Sequence, residues 1–143
     1  MKIVIGLGNP ILKDDSVGIR VVERLGDVDA DVEIVTTCFD VVGKLLGYDK
    51  AVIVDAMVGN KPGRIHVLNV DDLFVSYNVP GSHNLDLATS LKIGYEIFGD
   101  EMPREIKIVA IEVEDIDFGC KCSEEVEKAI PRAVKIVMNL IRS

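Results

Sequence analysis

The chain has 143 residues, 48% of them apolar, with 24 acidic against 16 basic side chains and a formal net charge of −8. That length fits one domain over residues 1–143 with one sizeable core, and the apolar content excludes a disordered chain. The acidic excess excludes a broad nucleic-acid surface, which needs clustered Lys and Arg, and no apolar run reaches the length of a membrane span. The opening MKIVIGLG reads as a strand and a turn, without the apolar core or cleavage site of a signal peptide, so a cytoplasmic protein is expected. Three cysteines, Cys38, Cys120 and Cys122, are too few and too unevenly spaced for a Cys-only metal site, and reduced thiols are expected.

Taken in chain order, KIVI (2–5) is a short apolar run ended by glycine and predicts a buried strand. Residues 17–25 place Val17, Val21, Val22 and Leu25 on one helical face, closed by Gly26. DVEIVTT (31–37) is a β-branched strand, and 42–46 a short helix ending near Gly47. AVIVD (51–55) is the clearest buried strand, apolar until its final residue. After the turn GNKPG, RIHVL (64–68) alternates as a half-buried strand does; following so short a connection, it is expected to run antiparallel.

Residues 71–74 predict a helical turn, 77–84 a loop, and 85–98 a helix. EIKIVAIEV (105–113) is a further strand, and Ser123 opens a last helix with an acidic first turn, in which Pro131 is expected to cause a kink or a restart. This order predicts an α/β protein, a three-layer α/β/α sandwich around a largely parallel, mixed five-stranded sheet.

In such sheets, sites form where loops leave the carboxyl ends of the strands. Three of those loops carry polar groups. GLGNPILKDD (6–15) ends in two aspartates, Asp55 closes the AVIVD strand, and GSHN (81–84) contains His83. Each has a plain structural explanation: Asp14 or Asp15 as a helix cap, Asp55 as a turn cap, His83 as a surface residue. Together, two carboxylates and an imidazole on one edge form a mixed oxygen and nitrogen ligand set for a divalent first-row metal, with coordination positions left open. Asp14 is taken as the cap and Asp15 as the ligand. His66, mid-strand, is expected to face solvent or to pack against a neighbour.

Anion chemistry fits poorly. Ile11 stands where a dinucleotide fingerprint needs its third glycine, no Lys-Ser/Thr pair follows, and Asp14 and Asp15 would repel a phosphate at that helix end. No G-x-S-x-G elbow is present. A Cys38–His83 pair is conceivable, but Cys38 is read as a buried thiol.

The stretches GLGNPILKDDSVGIRVVERL, AVIVDAMVGNKPGRIHVL and GSHNLDL resemble, in order and spacing, the hydrogenase maturation peptidases. These endopeptidases trim the C-terminus of nickel–iron hydrogenase large subunits. The anchors cover about residues 1–90; the remainder is similar only in its strand-then-helix plan. The resemblance implies that Asp15, Asp55 and His83 are the metal ligands and the catalytic set, and that the metal is nickel already held by the precursor. No organic cofactor is implied, and the partner is the large-subunit precursor. The nickel would position the scissile bond, with carbonyl polarisation or water activation as further roles.

One departure stands out: where the family carries an Asp-Gly-Gly-Thr stretch, this chain reads TTCFD, with Thr37 in the place of the aspartate and Asp40 three residues later. The peptidyl-tRNA hydrolases also open with GLGNP, but residues 12–20 lack their histidine and the charge is wrong for tRNA. A nickel-loading sensor that binds without cutting would use the same three residues.

Overall fold

The computed structural model describes residues 1–9, 16–76, 83–114 and 123–143, and for 74–76 and 83–86 the backbone alone. The elements are β1 (Lys2–Leu7), α1 (Val17–Glu23), β2 (Asp31–Val35), α2 (Cys38–Leu45), β3 (Lys50–Val58), β4 (Ile65–Leu68), α3 (Val70–Ser76), α4 (His83–Phe98), β5 (Glu105–Val113) and α5 (Glu124–Arg142). A single 3-10 turn, Gly99–Glu101, joins α4 to β5.

The strands form one sheet in the order β2-β1-β3-β5-β4. All neighbours are parallel except β4, which runs antiparallel to β5 as its short connection predicted. Alternation along each strand supplies two cores, because successive side chains point to opposite faces. Ile3, Ile5, Ile53 and Ile108 pack beneath α2, α3 and α4. Val4, Val52, Val54 and Ile111 pack beneath α1 and α5. The α/β/α sandwich is therefore as predicted.

Several boundaries differ from the sequence reading. β3 does not end at Asp55 but runs on to Val58, paired with β5 up to Val58↔Val113. α2 begins at Cys38 rather than 42, and its first residue is half-buried against the core rather than fully buried. The segment after β4 is a helix of seven residues, not a single turn, and it buries Leu73. α4 begins at His83, which is thus the first residue of the helix and not part of the loop.

α5 passes through Pro131 without restarting. Proline forfeits a backbone hydrogen bond at a cost of about 3 kcal/mol. Here it lies on the exposed side, while Val126, Ala129, Ile130, Ala133, Val137 and Ile141 bury the other side at helical spacing. Packing of that face outweighs the local penalty.

One contact sets how closely the first helix lies on the sheet. A Cβ at Gly18 of α1 would fall 2.3 Å from the carbonyl oxygen of Val54 and 2.7 Å from that of Leu7. A Cβ at Gly6 of β1 would fall 2.6 Å from Val22 Cγ2 and 2.8 Å from the Gly18 carbonyl oxygen. The two glycines let the backbone of α1 rest directly on β1 and β3. The atoms opposing Gly18 are backbone, so they cannot rotate away as a side chain would. Gly18→Ala is expected to destabilise the fold by about 1–3 kcal/mol, as overpacking does. Urea unfolding measures this, and a variant as stable as the parent would show that α1 retreats from the sheet without cost.

Candidate active site

From β1 the chain moves outward to β2 and then crosses back past β1 to β3, so the strand order reverses and the crevice of this sheet opens between β1 and β3. Its pairing with β3 runs only to Gly6↔Val54. Just beyond, the Gly8 N–H donates to the Val35 carbonyl at 3.2 Å, which draws the departing chain toward β2. β3 continues with β5 alone, and Asp55 is the first residue past the last β1–β3 pair.

Its side chain belongs to the same face as Ile53 and Met57, the face that α2, α3 and α4 cover. Asp55 is 1% exposed, and its Oδ1 accepts the Ala56 N–H at 2.8 Å. A carboxylate in that setting sits inside the sheet rather than at its rim. It is tolerated where the strands part because donors replace the water it has lost.

α4 covers that face and leads, through the 3-10 turn, to the amino end of β5. Its 16 residues span about 24 Å, so its first residue, His83, lies at the carboxyl edge of the sheet. Asp15 lies outside the described residues, and His83 is placed by its backbone. Among the described residues no three His, Cys, Asp or Glu side chains converge as a metal site; of the predicted triad, only Asp55 has its side chain among them. A single buried carboxylate is a fitting oxygen donor for a divalent ion but does not by itself make a site.

The sequence reading missed a second carboxylate on the same face. Glu112 follows Ile106, Ile108 and Ala110 in the alternation of β5, one pleat nearer the carboxyl edge than Asp55. It is 5% exposed. Its Oε1 accepts from His66 Nε2 at 2.7 Å and stands 3.4 Å from Arg64 Nε, and its Oε2 accepts the Lys61 N–H at 2.9 Å. A carboxylate has no proton to give, so His66 is the donor. The backbone joins in: Gly59 N–H to the Val113 carbonyl at 3.0 Å, Gly63 N–H to the Glu112 carbonyl at 2.8 Å, and Glu112 N–H to the Arg64 carbonyl at 2.8 Å.

Glu112 thus fastens the turn between β3 and β4 to the end of β5. His66 does pack against a neighbour, as expected, and that neighbour is this buried carboxylate. The signal was present in EIKIVAIEV, where a Glu takes the fourth place on an otherwise apolar face.

Another groove, of about 500 Å³, lies toward the amino end of β5 and is lined in part by Asn69, Asp71, Lys92, Tyr95 and Arg104. Lys92 and Asp71 pair within it at 3.1 Å. It faces away from the parting of β1 and β3, so the carboxyl edge is the candidate site.

A family model described as hydrogenase maturation protease matches residues 19–140, and so extends well past the motifs seen in the sequence. The chain is 30% identical over 132 residues to Protein FrxA of Pyrococcus furiosus, covering 90% of this chain and 96% of that one. It is 28% identical over 149 aligned residues to the hydrogenase 2 maturation protease of Escherichia coli, covering 98% and 90%. Among solved structures, the hydrogenase maturating endopeptidase HybD from Escherichia coli superposes with a TM-score of 0.82 at 27% identity, covering 99% of this chain and 91% of that one. A NiFe hydrogenase maturation protease from Thermococcus kodakarensis gives 0.82 at 25% identity, covering 98% of each.

Burial alone would raise the Glu112 carboxyl; the His66 hydrogen bond, the Lys61 N–H and the Arg64 guanidinium together outweigh it and hold it below the usual glutamate value. A group depressed in the folded state adds stability above its unfolded pKa, about 4.3, and loses it as pH falls through the folded value. Glu112→Gln is therefore expected to be less stable than the parent at pH 7, with the gap closing below about pH 4. Denaturant unfolding at both pH values measures it; an equal gap at each would mean that the charge plays no part.

Proposed function

Because the chain belongs to the hydrogenase maturation protease family, we propose that it is a cytoplasmic endopeptidase that removes the C-terminal extension of a nickel–iron hydrogenase large-subunit precursor after nickel insertion. The observation that carries this reading is Asp55, a buried carboxylate where β1 and β3 part, on the face that α4 covers. A protein that had only to fold would gain nothing from a charge there, since an apolar residue would avoid the desolvation cost.

The metal enters as part of the substrate. Asp15, Asp55 and His83 supply two oxygen donors and one nitrogen donor, a set that suits a borderline divalent ion such as nickel. Holding the precursor by its nickel fixes the scissile peptide beside these residues and turns an encounter in solution into a step within one complex. Hydrolysis then joins a water oxygen to the carbonyl carbon, breaks the C–N bond, and leaves the proton on the departing amine. Neither a serine nor a cysteine nucleophile is required, in keeping with the absence of a G-x-S-x-G elbow.

Incubation with the nickel-loaded precursor should shorten it, and the nickel-free precursor should remain intact. Binding of the loaded form without shortening would replace the peptidase by a loading sensor. His83→Ala should abolish processing and leave thermal unfolding unchanged, because the first residue of a helix contributes little to a core. Processing at the parental rate in that variant would remove His83 from the site.

A further inference from the structure

A groove of about 410 Å³ lies between the outer flank of α2 and β2, the strand at one edge of the sheet, and is lined by Ile34, Val35, Thr36, Asp40, Gly43 and Lys44. Among the described residues β2 pairs on one side only, with β1. Open strand edges of this kind invite pairing with another chain, and proteins usually blunt or cover them.

Two residues of α2 mark the groove as kept open. Gly43 sits within the helix, where glycine is destabilising relative to alanine, yet a Cβ there would meet no atom within 4 Å. Neither close packing nor a positive φ accounts for it. One turn earlier on the same flank stands Phe39, 89% exposed on a helix whose Val41 and Leu45 are fully buried. An aromatic side chain so exposed beside an open strand edge has the chemistry of a binding anchor.

The groove also has a direction. Its inner end meets Val35, whose carbonyl receives the Gly8 N–H as the chain leaves β1 toward the candidate site. Toward the amino end of β2, the lining Lys44 stands 3.9 Å from Glu33. Asp40 in its lining and Glu33 beside the lining Lys44 outnumber that one basic group, which disfavours an acidic occupant.

We propose that this groove takes the C-terminal extension of the hydrogenase precursor as an added, extended strand on β2. An apolar side chain of that strand lies over Gly43 against Phe39, and a basic one meets these carboxylates. Strand addition gives affinity through the backbone and selects side chains at alternate positions, which suits a peptidase that must hold one tail and not another. The proposal rests on the peptidase reading of the carboxyl edge and names where its substrate lies. It also gives the departure at TTCFD a role, because Phe39 belongs to that stretch.

The test measures affinity apart from cleavage. The parent, Phe39→Ala, Gly43→Ala and Gly43→Arg are each titrated with the nickel-loaded precursor and with the same large subunit lacking its extension. Both Phe39→Ala and Gly43→Arg should weaken binding of the precursor tenfold or more, with Gly43→Ala binding like the parent and none of the three unfolding more readily than it. For precursor cleavage, KM should rise with kcat within about twofold. Unchanged affinity in both variants, or an equal loss on the large subunit without its extension, would overturn the groove as the seat of the tail. Failure of the parent to cleave while these affinity differences persist would count against the peptidase reading alone.

Discussion

The backbone contact between α1 and the sheet governs the site. With no side chain at Gly18, the helix lies against the carbonyls of Leu7 and Val54, the positions at which β1 and β3 part. In the sequence Asp15 stands three positions before Gly18. The closeness of that contact fixes the start of α1, at Val17, relative to Asp55. A methyl group at Gly18 would push α1 away from the strand ends beside which Asp55 lies.

Glu112 secures the opposite side of the cleft. Its carboxylate and the neighbouring backbone bonds hold the β3–β4 turn onto β5, while Arg132 of α5 reaches the Gly63 carbonyl at 3.2 Å from the other face. Gly63 itself has a φ of 91°, and a Cβ there would come within 2.7 Å of the Glu125 carbonyl oxygen. The turn is thus gripped from both faces of the sheet. The candidate site lies between two supports, one made of glycine backbone and one of a buried, hydrogen-bonded carboxylate, and a peptidase needs such rigidity to hold a scissile bond in place.

Much of this could be read from the chain. The parallel sheet, its antiparallel edge strand and its two layers of helices follow from apolar runs punctuated by Gly, Asn and Asp. Asp55 stood out because four apolar residues precede it. Its surroundings did not, because a charge after such a run reads as the end of a strand; only the departure of β1 explains how β3 continues past it. Glu112 and His66 are 46 residues apart, and nothing local says that β5 lies beside β4. The start of α4 at His83 was hidden by a Gly-Ser pair that reads as loop. Pro131 was given too much weight, since its solvent-facing position appears only once the buried stripe of α5 is laid on the sheet.

The strand order carries one more consequence, for the birth of the protein. β5 lies between β3 and β4 but is made after both, with residues 69–104 intervening. Until it emerges from the ribosome, one side of β3 has no partner, although that strand is buried along almost its whole length in the finished fold. At roughly 5–20 residues per second, the exposed state lasts for seconds. During that time Val52, Val54 and their neighbours offer a bare hydrophobic ladder to any nascent chain nearby. The centre of the sheet is completed by a late insertion, so damage to β5 would show first as poor yield of soluble protein and only afterwards as lost activity.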